Sequence, residues 1–184
     1  PELARGGTAG STDLSTFHIC RFLEQRQGFL DGVVISGGEP TLQNDLEDFC
    51  RQIKGFGFPV KLDTNGSRPK VLAKLIDEKL VDYIAMDLKT DPVLYRSFIK
   101  PGYGPDPILA SIRILMESGI DYEFRTTCVK PIVTPETVEN ISHRIQGARL
   151  YALQRFRSRD VLHPEFFGGV ENEYRDEELL QLKA

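Results

Sequence analysis

Cysteine is scarce in this sequence and never clustered. Cys20, Cys50 and Cys128 are the three, they lie far apart, and they form no CxxC pair. That excludes a disulfide ladder and makes a reducing, cytoplasmic setting the expectation. Long apolar runs are missing as well. No stretch is long enough to cross a membrane, and no signal-peptide pattern opens the chain. A strong charge of one sign is also absent. The 23 basic and 27 acidic residues leave a formal net charge of −4, which argues against a general binder of nucleic acid or of anionic membranes. There is no internal repeat and no low-complexity segment. The chain begins at Pro1 without a methionine, which leaves room for a processed product or a fragment of something longer.

What is present is the balance of a globular protein. The 184 residues are 40% hydrophobic and 27% charged, enough for one domain with its own core. A unit recurs along the chain: strand, polar or glycine-rich turn, helix. Residues 31–36, "DGVVIS", predict a short buried strand, and Leu42, Leu46, Phe49 and Ile53 have helical spacing up to Gly55. "FPVKLDT", "VDYIAMDLK", "DYEFRTTCV" and "ARLYALQRF" predict four more strands. Helices are predicted from about residue 12 to 27, over "SRPKVLAKLIDEK", from Asp106 to Gly119, over "PETVENISHRI", and in the terminal "DEELLQLKA". Asp91-Pro92, Asp106-Pro107 and Thr134-Pro135 each place a capping side chain before a proline. Residues from about 160 to 184 read as a tail ending in the short helix, which is expected at the surface.

Alternating strands and helices predict an α/β fold with a parallel sheet and right-handed crossovers. The order fits a doubly wound sheet or part of a TIM-like barrel. In both, ligands collect at the carboxyl ends of the strands. Polar residues of this chain cluster there. Residues two apart on a strand share a face. Lys61 therefore shares one with Asp63, Asp87 with Lys89, and Glu123 with Arg125 and Thr127. Gln154 closes the fifth strand and Gly37, Gly38 and Glu39 the first. Charges at the last inward positions of buried strands are costly unless they are paired or bind something. The glycine–glutamate turn has two readings by local physics. Its glycines let a ligand approach the backbone while Glu39 accepts an ammonium. Alternatively, it is a tight corner with Pro40 setting φ and Thr41 capping the helix.

Taken together, "SGGEPTLQ", "KLDTNGS" and "YIAMDLK", in that order and spacing, resemble the radical S-adenosylmethionine (SAM) enzymes. They look most like the activating enzymes of glycyl-radical proteins. The nearest types are the anaerobic ribonucleoside-triphosphate reductase activase and the pyruvate formate-lyase activase. The likeness extends over nearly the whole chain, from "PEL" to "FRTTCVKP" and "LQRF". It implies a partial TIM-like (βα) barrel, and it implies roles. Gly37, Gly38 and Glu39, with Pro40 completing the turn, receive the amino group of S-adenosylmethionine. Asp63 and Asn65 lie near its ribose and methionine end. Asp63 and Asp87 help hold a monovalent cation, with Lys89 beside them. Arg125 approaches the cofactor carboxylate. Gln154 stands where the pyruvate formate-lyase relative has a histidine beside the ribose and adenine.

The resemblance also implies a [4Fe–4S] cluster on a CxxxCxxC motif, an electron donor such as flavodoxin or ferredoxin, and a glycyl-radical enzyme as protein substrate. This sequence has no such motif. It reads as cut just after the cluster loop, with the first barrel strand missing too. The three cysteines are expected to pack as small hydrophobes, and His18, His143 and His163 to be structural or surface residues. The run "RFRSRD", residues 155–160, reads as a solvated loop. Two rival readings remain: a Schiff-base aldolase or lyase using Lys61 or Lys89, and a non-catalytic nucleoside- or protein-binding module. The chain as given is expected to be inactive alone. Iron reconstitution should yield no [4Fe–4S] absorption band and no 5′-deoxyadenosine; either product would overturn that expectation.

Overall fold

Burial alternates along the second and fourth strands, and that alternation determines which side of the sheet is covered. In β2 (Val60–Thr64) the even positions are buried and Lys61 and Asp63 are not. In β4 (Asp121–Cys128) Tyr122, Phe124, Thr126 and Cys128 are buried while Glu123, Arg125 and Thr127 are half-exposed. The structure, a computed structural model, describes residues 15–97, 104–157 and 172–182. The remaining elements are α1 (Thr16–Glu24), β1 (Val33–Ile35), α2 (Leu46–Gly55), α3 (Pro69–Asp77), β3 (Tyr83–Asp87), α4 (Asp106–Glu117), α5 (Pro135–Arg144), β5 (Tyr151–Arg155) and α6 (Asp176–Gln181), with 3₁₀ turns at Pro40–Leu42 and Pro92–Ser97.

The five strands are parallel and lie in chain order, β1-β2-β3-β4-β5. Right-handed crossovers between strands taken in strict order deliver every helix to one side of the sheet. The core agrees. Cys50 and Ile53 of α2, Leu72 and Leu75 of α3, Ile112 and Leu115 of α4 and Ile141 of α5 pack in one cluster with Val60, Leu62, Ile84, Met86 and Phe124. In the parallel register Leu62 lies beside Ile84 and Ile84 beside Tyr122, so these strand residues share one face. A doubly wound sheet has helices on both faces, so the fold is the barrel alternative: an open, five-stranded (βα) half-barrel. Its other face is concave and polar.

Several local expectations shift. The first strand is shorter than 31–36 and is not buried as expected: Val33 and Ile35 are half-buried and Val34 is exposed, since β1 is the edge of the sheet. The predicted helix at Leu42 begins at Leu46, because Pro40 to Leu42 turn as a 3₁₀ segment first. Asp106 is the first residue of α4 and makes no capping bond. Asp91 and Thr134 do cap, accepting from the backbone N–H of Val93 at 3.1 Å and of Thr137 at 3.2 Å. Helix α2 ends at Gly55 as expected, and the left-handed residue that follows it is Gly57, φ 85°. The C-terminal helix lies at the surface, as expected, with no buried residue of its own, and contacts at its ends fasten it there. Leu182 is buried in a second cluster with Cys128, Val133 and Val138. Lys130 Nζ donates to both oxygens of Glu178 at 3.0 Å, and Tyr174 donates to the Val133 carbonyl at 2.5 Å. The predicted opening segment through Leu14, His163 and residues 158–160 of the basic run lie outside the described residues.

Burial governs the thiols. It pushes Cys50 up to about 11 and Cys128 up to about 11. Cys20 is half-buried on α1, where its thiol donates to Gln52 at 3.1 Å. The thiolate is the reactive form. Ellman's reagent at pH 8 should therefore label Cys20 alone in the folded protein and all three cysteines in guanidinium. Fast labelling of Cys128 under native conditions would contradict the helix-covered face described here.

Candidate functional site at the strand-end rim

The site begins where β1 runs out. The chain turns through Ser36, Gly37 and Gly38, and Gly37 has φ 136° with open space where a Cβ would stand. That conformation favours glycine, and it leaves the backbone accessible to a ligand. Glu39 closes the turn and is the residue that caps the 3₁₀ segment; in the tight-corner alternative that role fell to Thr41. Its extended backbone, φ −146°, lets the carboxylate fold over the turn and still reach the next strand. Oε1 accepts from Thr41 N at 3.2 Å, Thr41 Oγ1 at 2.6 Å and Thr64 Oγ1 at 2.8 Å. Oε2 accepts from Asn65 N at 2.7 Å. The carboxylate is thus a clasp between the ends of β1 and β2, and Glu39 is 5% exposed. Its remaining acceptor capacity lies on Oε2.

The second turn is built to match. Asn65 Oδ1 accepts from Ser67 N at 2.9 Å and Thr64 Oγ1 from Gly66 N at 3.1 Å, side chains standing in for a backbone turn. Gly66 has φ 72°, a conformation that favours glycine, and the Met86 side chain packs into the space where a Cβ would stand. Its carbonyl accepts from Ser111 of α4 at 2.7 Å.

Three carboxylates and three cations follow on the concave face. Arg125 Nε donates to Asp87 Oδ1 at 2.9 Å, and Lys89 Nζ to Asp87 Oδ2 at 2.8 Å. Arg125 Nη1 lies 3.3 Å from Asp63 Oδ1. That approach is an ion pair without hydrogen-bond alignment, so Asp63 Oδ1 is buried with no hydrogen bond. Lower on the wall, Lys61 Nζ donates to Glu123 Oε1 at 3.0 Å and lies 4.9 Å over the Tyr83 ring. Burial pulls the Arg125 guanidinium pKa down, but Asp87 and Asp63 outweigh it and leave it above its ordinary value.

Both long-range pairs bridge from β2 to β4 across β3. In the register, Asp63 and Glu123 flank Ala85, and Ala85 is fully buried although it points to the concave face. Its one methyl leaves room for the two charged arches above it. Leu88 N donates to the Arg125 carbonyl at 2.7 Å and Thr126 Oγ1 to the Leu88 carbonyl at 2.8 Å, which fixes the ends of β3 and β4 together. Lys89 N donates to the buried Tyr95 hydroxyl at 2.8 Å.

The structure therefore gathers Gly37, Gly38, Glu39, Pro40, Asp63, Asn65, Asp87, Lys89 and Arg125 at one rim. Gln154 stands level with Thr127 at the end of β5 and is exposed. Sequence reasoning missed Thr64 and Ser111, which carry the turn contacts, and Ala85, whose smallness is the signal. The cysteines stay apart from the rim, and among the described residues no group of three or more His, Cys, Asp or Glu is placed to hold a metal ion. These residues do not fit the iron–sulfur cluster that the resemblance implies. They do suit S-adenosylmethionine in chemistry: accessible glycine backbone beside a carboxylate, and lysine and arginine for the ligand's carboxylate.

Comparisons place the chain. The model of the radical SAM superfamily matches residues 17–145, and the chain belongs to that superfamily. A candidate glycyl-radical enzyme activating enzyme of Methanocaldococcus jannaschii is 40% identical over 143 residues, 75% of this chain and 60% of that protein. The chain thus spans about three-fifths of that relative's length. Among solved structures, a domain of a pyruvate-formate lyase-activating enzyme from Bacteroides vulgatus matches with TM-score 0.62 at 18% identity, covering 83% of this chain and 89% of that one. SuiB of Streptococcus suis, solved with S-adenosylmethionine, matches with TM-score 0.69 at 16% identity, covering 94% of this chain and 40% of that one. Both likenesses are of fold.

Replacing Glu39 by glutamine removes an acceptor that buried hydroxyls and an amide rely on. Glu39→Gln should destabilise the fold by about 1–3 kcal/mol in urea unfolding. A change below ~0.5 kcal/mol would show that the clasp is not needed.

Proposed function

We propose that this chain is the S-adenosylmethionine-binding half-barrel of a radical SAM activase, which generates a glycyl radical on a partner enzyme of the anaerobic ribonucleotide reductase type. One observation carries the reading: the residues of three separate motifs converge on one rim, in a chain of this superfamily whose relative bears an activase name. S-adenosylmethionine held here would supply the hydrogen-abstracting chemistry of the reaction. The chain's own residues bind and orient. The Gly37–Gly38 backbone, beside Glu39 and Pro40, takes the amino group. Asp63 and Asn65 take the ribose and methionine end, Lys89 and Arg125 the carboxylate, and Gln154 the ribose–adenine edge. The electron would come from a flavodoxin or ferredoxin by way of a [4Fe–4S] cluster, which this chain's three separated cysteines do not fit.

The Schiff-base reading loses support from the same geometry. Lys61 donates to Glu123 and Lys89 to Asp87, unlike the desolvated, unpaired amine that such chemistry uses.

Calorimetry on the intact protein tests the proposal. S-adenosylmethionine should bind, and Lys89→Ala should weaken it by roughly 10–100-fold, the worth of a charge-assisted hydrogen bond. Gln154→Ala, at an exposed position, should cost no more than about threefold. Reduction in the presence of the partner should give 5′-deoxyadenosine and a glycyl radical signal in paramagnetic resonance. Binding that ignores Lys89, or deoxyadenosine without any protein radical, would overturn the activase reading.

A further inference from the structure

The resemblance to the pyruvate formate-lyase activase implies a monovalent metal ion between Asp63 and Asp87, and the side chains there do not fit one. Both oxygens of Asp87 already accept from cations, Arg125 Nε at 2.9 Å and Lys89 Nζ at 2.8 Å. Asp63 Oδ1 faces Arg125 Nη1 at 3.3 Å and is sealed from solvent. A metal ion bridging Asp63 Oδ1 and Asp87 Oδ1 would have to displace the guanidinium from both. The charges also close without it: two carboxylates, one guanidinium and one ammonium.

We infer that Arg125 is the built-in counter-cation of this rim, joining Asp63 to Asp87 in the position that the related enzyme gives to a monovalent metal. Three features suit it to the role. Guanidinium stays charged at every accessible pH, and its planar fork has five donors, so it can serve several carboxylates at once. Nε and Nη1 are turned to the two aspartates, and Nη2 has no bond among the described residues, so it is free for the carboxylate of a ligand. Ala85, fully buried beneath the arch, leaves room for the side chain to reach across β3 to β2. Arg125 then holds the two aspartates at a fixed separation by its own covalent frame, and no ion need be recruited from solution.

Salt identity tests this without any activity assay. Melting temperatures of the ligand-free protein are measured in potassium, sodium and choline chloride at equal ionic strength. Wild type should melt alike in all three, because nothing binds the small cations selectively. Arg125→Gln, which uncovers two adjacent carboxylates, should melt higher in potassium or sodium than in choline. Arg125→Lys, which keeps the charge, should stay closer to wild type. The same comparison by calorimetry should leave the wild-type S-adenosylmethionine affinity within about twofold across the salts. A wild-type melting temperature or affinity that rises with potassium or sodium would overturn the inference, as would an Arg125→Gln protein indifferent to the cation. Should that variant not fold, the wild-type comparison decides alone. The calorimetric arm rests on the proposed cofactor site. Absence of binding in every salt would sink that proposal, while the ligand-free melting series would still decide the role of Arg125.

Discussion

One buried carboxylate holds the working edge of this protein together. Glu39 sits on the loop after β1, yet its four hydrogen-bond donors are split between its own turn and the end of β2. A buried charge is tolerated when donors surround it, and here those donors lie in the turn after β1 and at the end of β2, which sequence separates by a whole helix. The clasp therefore does two things with one group. It satisfies the orphan N–H groups of a tight corner, and it keeps the glycine backbone at a constant distance from the turn that carries Asn65. If the carboxylate were free to swing toward a ligand's ammonium, the loop would lose its register with β2. The accessible carbonyls of the glycines are the part of this motif best placed to meet a ligand.

From that corner the rest of the rim follows by neighbourhood. Strict strand order places the ends of β1 to β5 side by side, and one-sided helix packing leaves their other face bare. A bare face of a parallel sheet is unusual, since such sheets are ordinarily covered on both sides. Here charge does part of the covering. Lys61 and Arg125 lie over β3 and shield its backbone and Ala85, while remaining available to a polar ligand. Opposite charges in equal number make that arrangement stable with the concave side open.

Much of this was legible beforehand. A period of two along β2, β3 and β4 was enough to put Lys61 with Asp63, Asp87 with Lys89 and Glu123 with Arg125 on shared faces, and alternation with helices made the sheet parallel. The choice between a doubly wound sheet and a half-barrel was not legible, because helix side depends on strand order and not on any one segment. Neither was the partnership of Glu39 with Thr64, since a hydrogen bond between two strand ends has no local signature. Asp106 failed as a cap because Pro105 already adopts helical backbone angles, which places the aspartate inside the first turn. The direction in which Arg125 reaches also escaped prediction. It depends on the small size of a residue on the neighbouring strand.

The sequential strand order has a consequence for how this protein can vary. Each strand contributes to the rim in the order in which it is translated: Glu39, then Asp63 and Asn65, then Asp87 and Lys89, then Arg125, then Gln154. The helices between them contact the opposite face and touch the rim mainly through single bonds such as that from Ser111. Lengthening a helix or recomposing its outer surface would leave the order and spacing of the rim unchanged. The working edge and the outer coat are thus separable parts of one chain, tied at a few hydroxyls, and free to change at different rates.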